Sequence, residues 1–205
     1  VGISPSPRGE GQGVRLATFS PRYWRSQCGA VMQDGYIFSD TIANNITMGK
    51  QGSHNNAYNA TDNLLHACRV ANILDFIEAL PMGFNTKIGA EGSGISQGQK
   101  QRILIARVVY KNPSYIFFDE ATNSLDANNE KVIMENLDEY FKGRSVENSR
   151  KTVVVVAHRL STVKNAYNII VLQNGMVAEQ GNHETLSRQK GYYYELVKNQ
   201  LELGN

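Results

Sequence analysis

An α/β fold, with a parallel sheet, flanking helices and a separate helical lobe, is what this sequence predicts. Three observations carry that expectation. The second half alternates near-continuous apolar runs, "SYIFFD" and "TVVVVAH", with helical stretches; strands of that kind belong to parallel sheets. Between about residues 39 and 111 the apolar positions recur instead at helical spacing. Asn174-Gly175 then separates two apolar runs, the strongest short hairpin signal.

Residues 1–20, "VGISPSPRGEGQGVRLATFS", stand apart from the rest. Pro5, Pro7, Gly9, Gly11 and Gly13 break any period, and few side chains there can pack. They read as a poorly ordered arm or the scar of a gene boundary. From Arg22 the text is globular. "CGAVMQ" (28–33) predicts a short strand ending in Gln33. "SDTIANNITMG" begins with a capping candidate, Ser39 or Asp40, and predicts a short helix. Residues 52–59 read as a loop. "ATDNLLHACRVANILDFIEALPMGF" predicts helix, with Leu64, Leu65, Cys68, Ala71, Leu74 and Ile77 on one face and a stop at Pro81. Further on come a strand in "SYIFFD", a helix over 127–141, a strand in "TVVVVAH" and a short helix over 161–166. A hairpin in "NIIVLQNGMVAEQG" and helices over 183–189 and 191–202 close the chain.

The totals narrow the function. The chain has 205 residues, room for one domain or a domain with a lobe. Lys and Arg number 21 against 19 Asp and Glu, a net charge of +2. That balance argues against a nucleic-acid partner. Cys28 and Cys68 are too few for a disulfide framework and read as free thiols of a cytoplasmic protein. No apolar run is long enough to cross a bilayer and no signal peptide is legible. Work at a membrane would need spanning helices from elsewhere.

Three strand ends carry polar groups after apolar runs: Gln33, the pair Asp119-Glu120, and His158. Open α/β sheets bind ligands at such carboxyl ends, and a buried strand has no structural use for a polar group it must desolvate. One such end is explained by chance or by a cap. Three together point to one site suited to phosphate chemistry. Asp119 would hold Mg²⁺, largely through water. Strand alternation would aim Glu120 at another part of the site, where it would orient and deprotonate an attacking water. His158 would contact the terminal phosphate. A second constellation is "GSGISQGQKQRILIARVVYKNP" (92–113). Ser96 with Gln99 fits a capping box. Gly94 and Gly98 leave backbone N–H groups open at a helix start, a ready phosphate site. Ile103, Leu104, Ala106, Val108 and Val109 would face a core. On spacing alone, an ordinary capped helix also explains this segment.

"ISQGQKQRILIARVVYKNPSYIFFDEATNSLD" resembles the signature motif, acidic strand and following loop of ATP-binding cassette (ABC) proteins. The signature, Ile95-Ser96-Gln97-Gly98-Gln99, departs from the usual Leu-Ser-Gly-Gly-Gln at its first and third positions. "AVMQDGYIFSDTIANNI" resembles the Q-loop segment, "TKIGAEGSG" the loop before the signature, and "VVVVAHRLSTV" the H-loop. "VLQNGMVAEQGNHETL" and "GYYYELVKNQ" resemble the end of such a domain. The resemblance runs from about residue 21 to 203, with the motifs in order. It implies a P-loop NTPase-like ABC ATPase core, in part, with the helical signature subdomain at about 39–111 and the C-terminal part of the core at about 112–205.

The resemblance also implies a head-to-tail pair of domains with ATP and Mg²⁺ between them, powering the membrane helices of an exporter from the cytoplasmic face of the membrane. Gln33, Asp119, Glu120 and His158 would serve their own domain's nucleotide, with Gln33 and Asp119 toward the metal. Ser96, Gly98 and Gln99 would reach the nucleotide of the partner, and Asp126 would lie at the seam. The signature variant points toward exporters of peptides or bacteriocins. The family's phosphate loop, G-x-x-x-x-G-K-[ST], does not occur: Gly49-Lys50 is followed by Gln51, and the glycines at 9, 11 and 13 lead to Val14-Arg15. The expectation is a domain lacking its phosphate loop and inactive alone. Two alternatives are a non-catalytic subunit lending its signature to a partner, and a soluble ABC ATPase of DNA maintenance. No heptad run supports the second.

Overall fold

The structure is a computed structural model. It describes residues 20–48, 57–89, 94–122, 124–142, 151–157 and 163–203. Helix α1 (Pro21–Gln27) begins with Pro21, where a missing N–H costs nothing. It runs straight into strand β1 (Cys28–Val31). Next come β2 (Asp40–Thr41), α2 (Ile42–Thr47), α3 (Ala57–Val70) and α4 (Leu74–Glu78). A single 3-10 turn (Gly83–Asn85), β3 (Lys87–Ile88) and α5 (Gln97–Lys111) complete the lobe. The core continues with β4 (Tyr115–Asp119), α6 (Ala127–Lys142), β5 (Thr152–Val156), β6 (Ile169–Gln173), β7 (Met176–Gly181), α7 (His183–Gln189) and α8 (Tyr192–Leu203).

The expected parallel sheet is present, in the order β1-β4-β5. Val31 stands beside Phe118, and Asp119 beside Val156, so the carboxyl ends of the three strands share one edge. Ile116 and Phe118 of β4 turn to the buried face, where Ile103, Ile105, Ile133 and Leu137 of α5 and α6 also belong to the core. The apolar stripe expected on α5 is buried throughout. Gly29 permits the close approach of α5 to β1. A methyl group there would lie 2.8 Å from Pro113 Cγ and 2.9 Å from a Val108 methyl. Burial on both faces is not what the described residues show. Phe117, Val154 and Val156, on the opposite face, are 37%, 46% and 51% exposed.

The lobe differs from its sequence expectation in three places. Thr41, not Ser39 or Asp40, caps α2, its hydroxyl accepting from the Asn44 N–H at 3.1 Å. Asp40 instead accepts from the Thr41 N–H and the Asn44 amide, which hold its carboxyl below the usual range. Residues 57–59, expected in a loop, open α3. The long predicted helix breaks at Asn72, which adopts a left-handed conformation (φ 51°) that asparagine tolerates well. The ladder β2–β3, two residues a side, is too short to leave a sequence period.

The hairpin β6–β7 turns at Asn174 (φ 51°) and Gly175 (φ 77°), the left-handed pair that a type I′ turn requires. Ile169, Val171, Leu186 and Tyr193 form a small second core beneath it. His183 opens α7, and its Nδ1 lies 2.8 Å from the Tyr193 hydroxyl.

Cys68 is fully buried in the lobe, and burial pushes its thiol up to about 12. Since the thiolate is the nucleophile, Cys68 is expected to alkylate at least about tenfold more slowly than Cys28 in the native chain at mildly alkaline pH. Mass spectrometry of an iodoacetamide time course reads both sites. Equal rates would show that the lobe opens freely.

Candidate functional site

The site begins where β4 ends. Asp119 is the last strand residue and is half-buried. Strand alternation does not set the direction of Glu120, because Glu120 has left the strand. Its backbone is left-handed (φ 49°), while its N–H still donates to the Val156 carbonyl of β5 at 3.1 Å. A non-glycine residue in this region is held there at a cost of about 1–3 kcal/mol, and such residues cluster at functional sites. Gln33 lies two residues past β1, exposed, in a turn that the Gly35 N–H closes on the Met32 carbonyl at 3.1 Å. Adjacent parallel strands thus deliver Gln33 and Asp119-Glu120 to the same edge of the sheet. His158 lies outside the described residues.

Beyond Glu120 the chain dives inward. Thr122 is buried, and its hydroxyl donates to the buried Glu130 carboxylate at 3.0 Å. The chain resurfaces at Ser124 and Asp126. Asp126 caps α6 by accepting from the backbone N–H of Asn129 at 3.0 Å and from its side-chain amide at 2.6 Å. Those two bonds hold its carboxyl below the usual range.

The capping box at the start of α5 is formed as expected. The Gln99 N–H donates to Ser96 Oγ at 3.2 Å, and the Ser96 N–H donates to Gln99 Oε1 at 2.8 Å. The Ser96 hydroxyl is an acceptor in this box, so its own proton remains to give to an anion. Gly98 sits against the loop after β4. A methyl group there would meet the Ser124 carbonyl at 3.4 Å and a Leu125 methyl at 3.6 Å. The candidates therefore fall into two groups. Gln33, Asp119 and Glu120 mark the sheet edge. Ser96, Gly98, Gln99 and Asp126 gather where α5 begins beside the 124–126 loop.

A third feature is an open depression lined by Phe38, Ser39, Asp40, Asn44 and Met48, within and just after the segment whose sequence resembles the part of exporters that docks on membrane helices. Next to Asn44 of that lining stands Asn45, fully buried. The Asn45 side-chain oxygen accepts from the Phe38 N–H at 2.8 Å, and its amide donates to the carbonyls of Phe38 and Thr41, both at 3.0 Å. Arg107 of α5 completes the knot, donating to the backbone carbonyls of Asn45 at 2.8 Å and Tyr36 at 3.0 Å and stacking over the Phe38 ring. The resemblance of 33–46 marked the segment; the pairing of Asn45 with Arg107 left no sequence signal.

Among the described residues no cluster of three or more His, Cys, Asp or Glu is placed to hold a metal by itself. Asp119 and Gln33 offer a carboxylate and an amide oxygen. That sparse, hard donor set fits Mg²⁺, which takes few protein ligands and fills its octahedron with water and phosphate oxygens.

The ABC transporter family model matches residues 10–123. The Multidrug resistance protein pgp-1 of Caenorhabditis elegans is 40% identical over 185 residues, which are 90% of this chain and 13% of that protein. The Toxin RTX-I translocation ATP-binding protein of Actinobacillus pleuropneumoniae is 41% identical over 191 residues, 93% of this chain and 25% of that one. The chain thus spans between 13% and 25% of the length of these two relatives. The structure of a bacterial Atm1-family ABC exporter with ATP bound superposes with a TM-score of 0.78 at 37% identity, covering 90% of this chain and 30% of that one. Its fold is the P-loop NTPase fold of an ABC ATPase, and the chain belongs to the ABC transporter family.

Proposed function

We propose that this chain is the ATP-binding and ATP-hydrolysing domain of an ABC exporter, powering transport from the cytoplasmic face of a membrane. The observation that carries this reading is the acid pair at the end of β4, with Glu120 held in a strained left-handed turn. Glu120 is the base: it orients a water toward the terminal phosphate and takes its proton. Asp119 and Gln33 would hold Mg²⁺, which supplies neutralising charge to the phosphates when bound. His158 would face the terminal phosphate, by family resemblance. Ser96, Gly98 and Gln99 would present a hydroxyl, the open N–H of Gly98 and a side-chain amide to the nucleotide of a head-to-tail partner, with Asp126 at the seam. The depression lined by Phe38, Ser39, Asp40, Asn44 and Met48 would receive the cytoplasmic ends of membrane helices. No helix among the described residues is long and apolar enough to cross a membrane itself.

The Ile95-Ser96-Gln97-Gly98-Gln99 variant favours peptide cargo by family resemblance, and the likeness to a toxin translocation protein favours toxin export. Likeness to a multidrug resistance protein favours a second reading, small-molecule efflux. Stimulation of transporter ATPase by peptides and not by hydrophobic drugs would support the first; the reverse pattern would support the second.

The sequence holds no G-x-x-x-x-G-K-[ST]. That loop supplies the densest set of phosphate donors, so the 205-residue chain alone is expected to bind Mg-ATP weakly. Titration calorimetry tests this beside a fusion carrying a relative's phosphate-loop segment at the N-terminus. Micromolar affinity in the fusion alone is the expected result. Comparable binding by both would overturn the dependence on that loop, and binding by neither would overturn the nucleotide-binding reading.

A further inference from the structure

We propose that Asn129 and Arg102 are positioning residues that join the 124–126 loop and the start of α5 into one unit. In that unit, Asp126 and the Ser96–Gln99 turn move together. The link is a continuous path of hydrogen bonds through a third element. Asn129, in the first turn of α6, donates through its amide to Asp126 at 2.6 Å. Its side-chain oxygen accepts from the Asn72 amide at 2.9 Å. The Asn72 backbone carbonyl, at the left-handed break between α3 and α4, accepts from Arg102 Nη1 at 2.7 Å. Arg102 Nε then donates to the Gly98 carbonyl at 3.3 Å, one turn back along α5. Arg102 Nη1 also lies 3.5 Å from the Asn129 side-chain oxygen, closing the path into a ring.

Two further observations make this more than a set of local caps. Gly98 also lies against Ser124 and Leu125, so the same two elements meet by packing as well as by polar contact. Arg102 is half-buried; burial lowers the proton affinity of its guanidinium, and the nearby Asp126 charge offsets part of that. A charge so placed is costly to move without its acceptors. Asn136, farther along α6, holds the end of α3 in the same way, donating to the carbonyls of Arg69 and Val70 at 3.2 and 3.3 Å. The corner between α3 and α4 is therefore clamped by α6, and α5 is tied to that corner by Arg102.

The mechanical half of this inference stands on these contacts alone. Its functional half rests on the reading above, that Ser96 and Asp126 face a nucleotide, and predicts that loosening the unit slows turnover without weakening nucleotide binding. Asn129→Ala is the informative change, because it cuts the path but keeps the backbone N–H that Asp126 needs for the cap.

Amide hydrogen exchange on the 205-residue chain tests the mechanical half. In Asn129→Ala, the amides of Gln99 and Lys100 are expected to exchange about tenfold or more faster, together with those of 124–130. In Arg102→Gln the same two segments should respond from the other end, and the double variant should add little to either single one. A response confined to 124–130 in Asn129→Ala, with Gln99 and Lys100 unchanged within about twofold, would overturn the proposal. In an assembled, ATP-hydrolysing transporter, Asn129→Ala should lower kcat about tenfold with KM for ATP unchanged. A loosened unit with unchanged kcat would overturn the positioning role. A parent transporter that does not hydrolyse ATP at all would instead count against the functional assignment, and the exchange result would stand apart from it.

Discussion

Glu120→Gln should lower ATP turnover by about 10²–10⁴-fold in a transporter assembled around this chain, while leaving nucleotide affinity unchanged within about threefold. The amide keeps the size and the hydrogen-bonding reach of the carboxylate but cannot take a proton from water. The chain keeps Glu120 at a position where its backbone is strained (φ 49°) and where a glycine would sit without cost. Asp119 serves as the internal comparison. Its removal should weaken Mg²⁺-dependent binding as well as turnover, so the two acids separate in a plot of KM against kcat. Steady-state hydrolysis and nucleotide titration check both. Near-normal turnover in Glu120→Gln would remove Glu120 from the role of base.

Asn45→Leu should destabilise the chain by about 3 kcal/mol, one of the largest single-residue effects in the lobe. The side chain is fully buried and bonds to both backbone groups of Phe38, to the Thr41 carbonyl and, at 3.3 Å, to Arg107 Nη2. Leucine keeps its branching but has no polar atom, so it strands all of these partners at once. Urea denaturation gives the stability change. Protection of Arg107 from arginine-directed reagents reports whether the knot has opened. A loss below about 0.5 kcal/mol would mean that water or a shifted backbone replaces the lost bonds, and that the depression does not depend on Asn45 for its shape.

The sequence made the sheet-edge acids, the capping box and the hairpin legible because each leaves a local signature. "YIFFDE" is an apolar run colliding with two carboxylates, Ser96 and Gln99 are three apart, and Asn174-Gly175 is a turn dipeptide. What stayed hidden depends on residues far apart in the chain. Asn45 and Arg107 meet across 62 positions, and Asn72 and Asn129 across 57. No period or spacing rule brings such pairs together. The break at Asn72 was hidden for another reason. Apolar residues continue at helical spacing on both sides of it, so the core-facing pattern survives a left-handed kink that only the backbone reveals. Glu120 escaped the alternation argument for a related reason. Alternation along a strand says nothing about the first residue after the strand has ended.

Strand β5 has a consequence for handling the isolated chain. Among the described residues it is hydrogen-bonded to β4 alone, and Val154, Val155 and Val156 are 46%, 39% and 51% exposed. The stretch Thr152–Val156 itself contains no charge, proline or glycine; Arg150 and Lys151 precede it and Arg159 follows. That combination is a seed for intermolecular cross-β growth. Concentrated solutions of this chain should therefore turn turbid with a lag that shortens steeply with concentration, and lysine at Val154 should lengthen that lag before it alters any enzymatic property.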